Sequence, residues 1–319
     1  MKGSNVVSSQ ESPFSGANLM VVVAHPDDEV LFAGSQLSRA RQLSIIHVTD
    51  GAPSAKIARQ HGFQTRHDYA AARRRELQAA LRTANVKARC ECLEYRDGSS
   101  CLWIAMGAHR LSCLIDGIRP DVILTHAYDG GHRDHDTTAA MVRLATEQIA
   151  HAPEIWEMAG YYQEGGRTYH QRLPGVDNQD VVAIGLSPDD RARKRAMLNC
   201  FISQQDIIRD FSVEDVETFR RAPLYNFTAP PVCGPLGYEA NESGAESGLW
   251  RVLAISSREA MSGSRGARLR LALARPCMRL MLASFRLRRR HPRVTRPLEI
   301  TCLAVLSGKR PVSPTYPIR

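Results

Sequence analysis

The sequence predicts an α/β protein with a Rossmann-like, doubly wound and mostly parallel sheet flanked by helices. Three observations carry that expectation. Short β-branched runs alternate with helical patterns at the spacing of βα units. The first run, Leu19-Met20-Val21-Val22-Val23, is continuously apolar, as in a strand buried on both faces. Two of the runs lead directly into segments crowded with His and Asp, and the carboxyl ends of strands are where open α/β sheets bind ligands.

Taken in order, residues 1–18 are polar and Ser/Gly-rich, lack the apolar core of a signal peptide, and read as a flexible leader. After the first strand comes Ala24-His25-Pro26-Asp27-Asp28-Glu29. Residues 30–41 then carry apolar residues at helical spacing and end in cations, as a helix prefers. Residues 43–48 form a second strand closed by Thr49-Asp50-Gly51. Residues 55–63 read as a loop, with His61 and His67 on the surface.

The Ala-rich stretch 68–83 is a helix, and 90–95 is a strand ending in Arg96-Asp97-Gly98. A helix over 104–118 and a strand over 121–125 lead into His126-Ala127-Tyr128-Asp129-Gly130-Gly131-His132-Arg133-Asp134-His135. Residues 136–149 are helical, with Asp136 suited to the helix start. Further strands are expected at 155–162 and 180–184. Ser187 caps a helix from 188 to about residue 204. The body domain is placed at 19–255. Residues 256–319 read as a basic tail, either disordered or never selected to fold.

Composition narrows the function classes. The net charge of +9 is misleading, because residues 256–319 hold 15 basic against 2 acidic side chains and the rest 27 against 31. The body is mildly acidic, so a nucleic-acid role is not expected from its charge. No run of 18 apolar residues appears, so no stable membrane insertion is expected. The eight cysteines include no C-x-x-C pair and read as reduced thiols of a cytoplasmic protein. Nothing in the sequence indicates an oligomeric state.

If the strands of Val21 and Val122 are neighbours, His25 and Asp28 from one loop and His135 from the other form a two-histidine, one-carboxylate set. Such a set leaves positions open for water and substrate, as catalytic zinc requires, and tolerates iron or cobalt as well. Zinc lowers the pKa of its water to about 7, and Asp27 is placed to take the proton. His132 can polarise an oxyanion or protonate a leaving amine, and Asp134 can orient that histidine. His126 is expected to pack below the site or bond within its loop. His170 is expected on the surface, and Gly130-Gly131 gives the backbone room around the loop.

These two motifs, AHPDDE after a first strand and THAYDGGHRDHD about a hundred residues later, resemble those of the PIG-L/LmbE-like family of zinc-dependent de-N-acetylases. The segment FRRAPLYNFTAPPVCGPLGYE at 219–239 is similar to a C-terminal signature of its bacterial members. The resemblance implies a hydrolase that removes an acetyl group from an amino-sugar conjugate. It implies His25, Asp28 and His135 as ligands, Asp27 as base and His132 as the polarising group. It also implies that Asp97, Arg74 and Glu76 contact sugar hydroxyls. Two departures from the family pattern are Arg133 in place of a proline, which puts a charge near the metal and the substrate, and Asp129 in place of a glutamate.

Two other classes fit the sequence less well. A nucleotide-binding oxidoreductase needs a Gly-rich turn where Ala24-His25-Pro26-Asp27 stands. Binding of nucleic acid or an anionic membrane would have to come from the arginine-rich tail. The loops at 52–66 and 160–180 are expected to set specificity.

Overall fold

The computed structural model describes residues 5–7, 11–52, 54–175, 181–233, 236–238, 249–269 and 271–272. The expected α/β architecture is present. An eight-stranded sheet has the order β1-β9-β10-β6-β5-β2-β3-β4. These strands are β1 (Asn5–Val7), β2 (Asn18–Val23), β3 (Gln42–Thr49), β4 (Arg89–Tyr95), β5 (Val122–His126), β6 (Glu154–Met158), β9 (Val181–Gly185) and β10 (Val216–Arg221). All pair in parallel except β10, which runs antiparallel to both of its neighbours. A separate hairpin joins β7 (Tyr161–Glu164) to β8 (Arg167–His170).

Alternation along β2 explains the layering. Met20 and Val22 face one core and Leu19, Val21 and Val23 the other, all fully buried. On the first face pack α4 (Ile104–Ile118), α5 (Arg133–Thr146) and α8 (Leu249–Met261). On the second pack α1 (Asp28–Ala33), α3 (Arg66–Thr83) and α6 (Pro188–Leu198). Each fully buried Val or Leu contributes about 1.5–3 kcal/mol relative to exposure, so β2 is firmly anchored between the two cores. Residues 100–118 are long and apolar enough to cross a bilayer by composition alone. Here, however, Ile104, Ala108, Leu111 and Ile115 are buried against the sheet core.

Several expectations need correction. The stretch 1–18 is not wholly a leader: residues 5–7 pair in parallel with Val182–Ile184, and Phe14 is fully buried against Trp156 and Phe219. The body does not end at 255, because α8 runs through it, with Leu253, Ala254 and Ala260 in the core. The tail reading from 273 onward lies outside the described residues.

The helix expected over 30–41 stops at Ala33. Beyond it, the backbone N–H and hydroxyl of Ser35 donate to the buried carboxylate of Glu217 at 3.1 and 2.6 Å, and Lys194 Nζ donates to it at 2.7 Å. This capture of Ser35 diverts the chain into a 3-10 turn at Leu37–Arg39. Residues 55–60 are helical (α2, Ala55–Gln60), because Ser54 caps the Ile57 N–H. The strand expected over 155–162 divides at Ala159-Gly160 into β6 and β7. The helix expected to reach residue 204 ends at Leu198, and a short helix α7 (Gln205–Ile208) follows.

Candidate active site

β2 and β5 are direct neighbours, with Leu19 opposite Val122 and Val22 opposite Thr125. The chain departs to β3 on one side of β2 and reaches β5 on the other, so their carboxyl ends flank the switch point of the sheet. Both polar loops therefore open on the same edge.

The first loop is held in a rare conformation. Asp27 has φ +138°, which L-residues seldom adopt, and its carbonyl accepts the Val30 and Leu31 N–H groups that start α1. Arg73, buried on α3, fixes the loop. It donates to the carbonyl oxygens of Pro26 at 2.5 Å and Gly51 at 3.0 Å, and its Nη2 lies 3.2 Å from Asp27 Oδ2. Gly51, at φ +64°, is required here, since a Cβ would lie 2.9 Å from Pro26 Cδ.

The second loop is braced from within. Asp136 Oδ1 accepts the N–H groups of Asp129 and Gly130 at 3.1 Å, and its Oδ2 accepts the Tyr238 hydroxyl at 2.8 Å. Asp136 is thus more than a helix-start residue. A Cβ on Gly131 would occupy the space of the Tyr161 carbonyl oxygen, so the room expected for this pair is in use. His132 caps α5 and accepts the Asp134 N–H through Nδ1 at 3.2 Å. Nδ1 is then a lone-pair acceptor, and in the neutral ring the proton sits on Nε2.

The loops meet at Asp28. Its Oδ2 lies 3.2 Å from His25 Nδ1 and its Oδ1 3.4 Å from His135 Nε2. Potential ligand atoms cluster as His25, His132 and His135; as Asp28, His126 and His135; and as His25, Asp97 and Asp134. His126 stacks on His135 with ring centroids 3.9 Å apart, but its Nε2 accepts the Ala24 N–H at 3.0 Å. That bond uses the lone pair a ligand would need, and His126 packs beneath the site as expected.

Charge is out of balance here. Burial opposes ionisation of His25, yet Asp97, Asp28 and the hydrogen bond with Asp134 hold its pKa well above the usual value. Burial would raise Asp28, but His135, His126 and His25 hold it well below the carboxylate range. Burial pushes Asp27 up to about 8 against the pull of Arg73, with Asp28 adding to the rise. His132 and His135 are each lowered to about 4, first by burial and then by neighbouring imidazoles. Three carboxylates thus converge on one imidazole, and His135 Nδ1 is buried without a hydrogen-bond partner. Neutral imidazoles beside surplus carboxylates are the donor chemistry of a divalent cation, and the site fits one.

The cluster forms the floor of a cavity of about 560 Å³ lined by His25, Asp27, Asp28, Asp97, His132 and His135, a size that suits a small ligand. Arg74 and Glu76 do not line it. Arg74 pairs with Glu94 on the surface, and Glu76 accepts the Ser203 N–H and hydroxyl. The helical period of α3 brings Arg73 to the site instead, which sequence reasoning overlooked within the run of three arginines.

Asp134 does not orient His132 through its carboxylate. It accepts Gly98 N–H and the Ser100 N–H and hydroxyl, and lies 3.4 Å from His25, so it ties the loop carrying Asp97 to the first motif. Arg133 packs its guanidinium 5.5 Å from the Tyr238 ring centroid rather than lining the cavity. His170 is exposed, as expected, yet lines the cavity with Tyr161, Gln163 and Thr168. Of the two expected specificity loops, 160–180 contributes lining residues, and none of the described residues of 52–66 does. Residues 204–211, which carried no site signal in sequence, also supply lining residues, with Phe211 packed 5.8 Å from the Tyr161 ring and 5.2 Å from that of His170.

Comparison with known proteins agrees with this geometry. Among solved structures, the chain is similar in fold to the zinc-inhibited form of the teicoplanin deacetylase Orf2. The identity is 17%, the TM-score 0.50, and the match covers 65% of this chain and 99% of that one. It is similar to the pseudoaglycone deacetylase Dbv21 at 18% identity and TM-score 0.50, covering 66% and 99%. No curated protein matches the chain. Residues 20–146, which contain both loops, match the family model PIG-L, described as GlcNAc-PI de-N-acetylase. That match to the model of a de-N-acetylase family spans β2 through α5, the stretch that carries both polar loops.

Proposed function

We propose that the protein is a metal-dependent hydrolase that removes the N-acetyl group from a glucosamine-type unit of a small conjugate. The observation that carries this reading is the meeting of His25, Asp28 and His135 on a cavity floor, with Asp27 beside them and held off by Arg73. His25, Asp28 and His135 are the residues that would hold the ion, zinc in the first instance. When bound, such an ion supplies Lewis acidity and lowers the pKa of its water toward neutrality.

The chain's own groups do the rest. The Arg73–Asp27 contact fixes one carboxylate oxygen of Asp27 and leaves the other to take a proton from attacking water. His132, neutral and carrying its proton on Nε2, donates to the oxygen that becomes negative as the amide carbonyl is attacked. Proton transfer to the nitrogen then releases amine and acetate. The oxidoreductase alternative is not favoured, because the turn after β2 holds buried acids where a pyrophosphate would need glycine N–H groups.

The test is acetate release from a panel of N-acetylglucosamine conjugates, with elemental analysis of the purified protein. Turnover is expected to be lost on chelation and in Asp27→Ala. Activity that survives both overturns the proposal.

A further inference from the structure

We propose that the outer half of the cavity is a subsite for an uncharged, apolar-faced group attached to the sugar, and that it disfavours phosphate at the same position. The inference rests on the reading of the floor as a de-N-acetylase site and names the substrate class that the rim selects.

The wall above the metal-binding cluster carries a run of aromatic rings among its polar residues. Tyr161 sits edge-on to His135 with centroids 5.5 Å apart, and Phe211 lies 5.8 Å from Tyr161 and 6.0 Å from Phe32. Ile207, on the short helix just before Phe211, lines the same cavity and is 53% exposed. An exposed Ile beside aromatic rings offers area to a ligand's apolar face.

Charge along the same wall points the same way. Phosphate recognition needs guanidinium, ammonium or convergent backbone N–H donors. Among the described lining residues the one Arg or Lys is Arg73, itself buried and bonded to Asp27 and two carbonyl oxygens. The rim carries Asp210 instead. It is exposed and has no ion-pair partner among the described residues, and Asp97 lies between the rim and the floor. A phosphate group there would meet the carboxylates of Asp210 and Asp97, and among the described lining residues no Arg or Lys is left for it, His170 being the one rim imidazole.

The test uses the full chain loaded with zinc and two ligands that differ only at the anomeric position, phenyl N-acetyl-β-glucosaminide and N-acetylglucosamine 1-phosphate. Binding is read by calorimetry and turnover by amine release. The phenyl compound is expected to be favoured about tenfold or more in both, the gain from ring contact and the loss from charge repulsion acting together. Ile207→Ser, at an exposed site, is expected to weaken phenyl binding about threefold and leave phosphate binding unchanged. Asp210→Asn is expected to improve phosphate binding about two- to threefold, the effect of one screened charge.

Equal binding of the two ligands, or no binding of either, overturns the subsite. A phenyl preference in binding without any turnover supports the subsite and overturns the de-N-acetylase reading. Turnover of both at equal efficiency does the reverse.

Discussion

The floor and the rim of the cavity are built in opposite ways. On the floor, His25, Asp27, Asp28, Asp134 and His135 are nearly or fully buried, and each is held by backbone groups or by another charged side chain. On the rim, Thr168, His170, Ile207 and Asp210 are exposed and stand on a two-stranded hairpin, a four-residue helix and the turn that follows it. The difference teaches where each task resides. Chemistry needs groups fixed to within a fraction of an ångström, whereas selection among substrates tolerates side chains that move.

Substitutions can break or sharpen that contrast. Asp28→Ala removes the one carboxylate that touches both His25 and His135, the histidines proposed as ligands, and kcat/KM is expected to fall about a thousandfold or more with loss of bound metal. Elemental analysis beside steady-state kinetics checks it; full metal content would place the ligand set elsewhere. Gly131→Ala forces the second loop off Tyr161, and a destabilisation of about 2–3 kcal/mol is expected. Urea denaturation at unchanged m-value measures it, and a neutral result would mean that the loop and hairpin separate freely.

Asp134→Asn keeps the shape but gives up one acceptor and the charge beside His25. Metal affinity is expected to drop about 10–100-fold, as for other groups that orient a ligand. Competition with a chelator of known affinity reads this, and an unchanged constant would show that His25 needs no such support. Thr168→Ala, on the rim, is expected to change kcat by less than about twofold and to act on KM alone. A large fall in kcat would erase the distinction between floor and rim.

Much of the floor was readable because its residues are close in sequence. A turn after a buried strand must place His25, Asp27 and Asp28 within a few ångströms, and the start of a helix must do the same for His132 and His135. The partners that hold them come from afar. Arg73 reaches Asp27 across 46 positions, Tyr238 reaches Asp136 across 102, and Ser35 meets Glu217 across 182. No local pattern distinguishes Arg73 from Arg74, because only the packing of α3 on the sheet decides which of two adjacent side chains faces inward. The same long-range capture cut short the helix after Ala33 and brought residues 5–7 into the sheet.

By itself, the sequence determined the α/β alternation, the two motif loops and the residue types that bind a divalent cation, since strand and helix periodicities and turn chemistry are local properties. Only the tertiary structure decided that β2 and β5 are neighbours and that Asp134 serves His25 rather than His132. It also decided that residues 204–211 join the hairpin in lining the cavity. Those outcomes depend on strand order and on which buried polar groups find each other. Both are settled by burial of the whole chain at once.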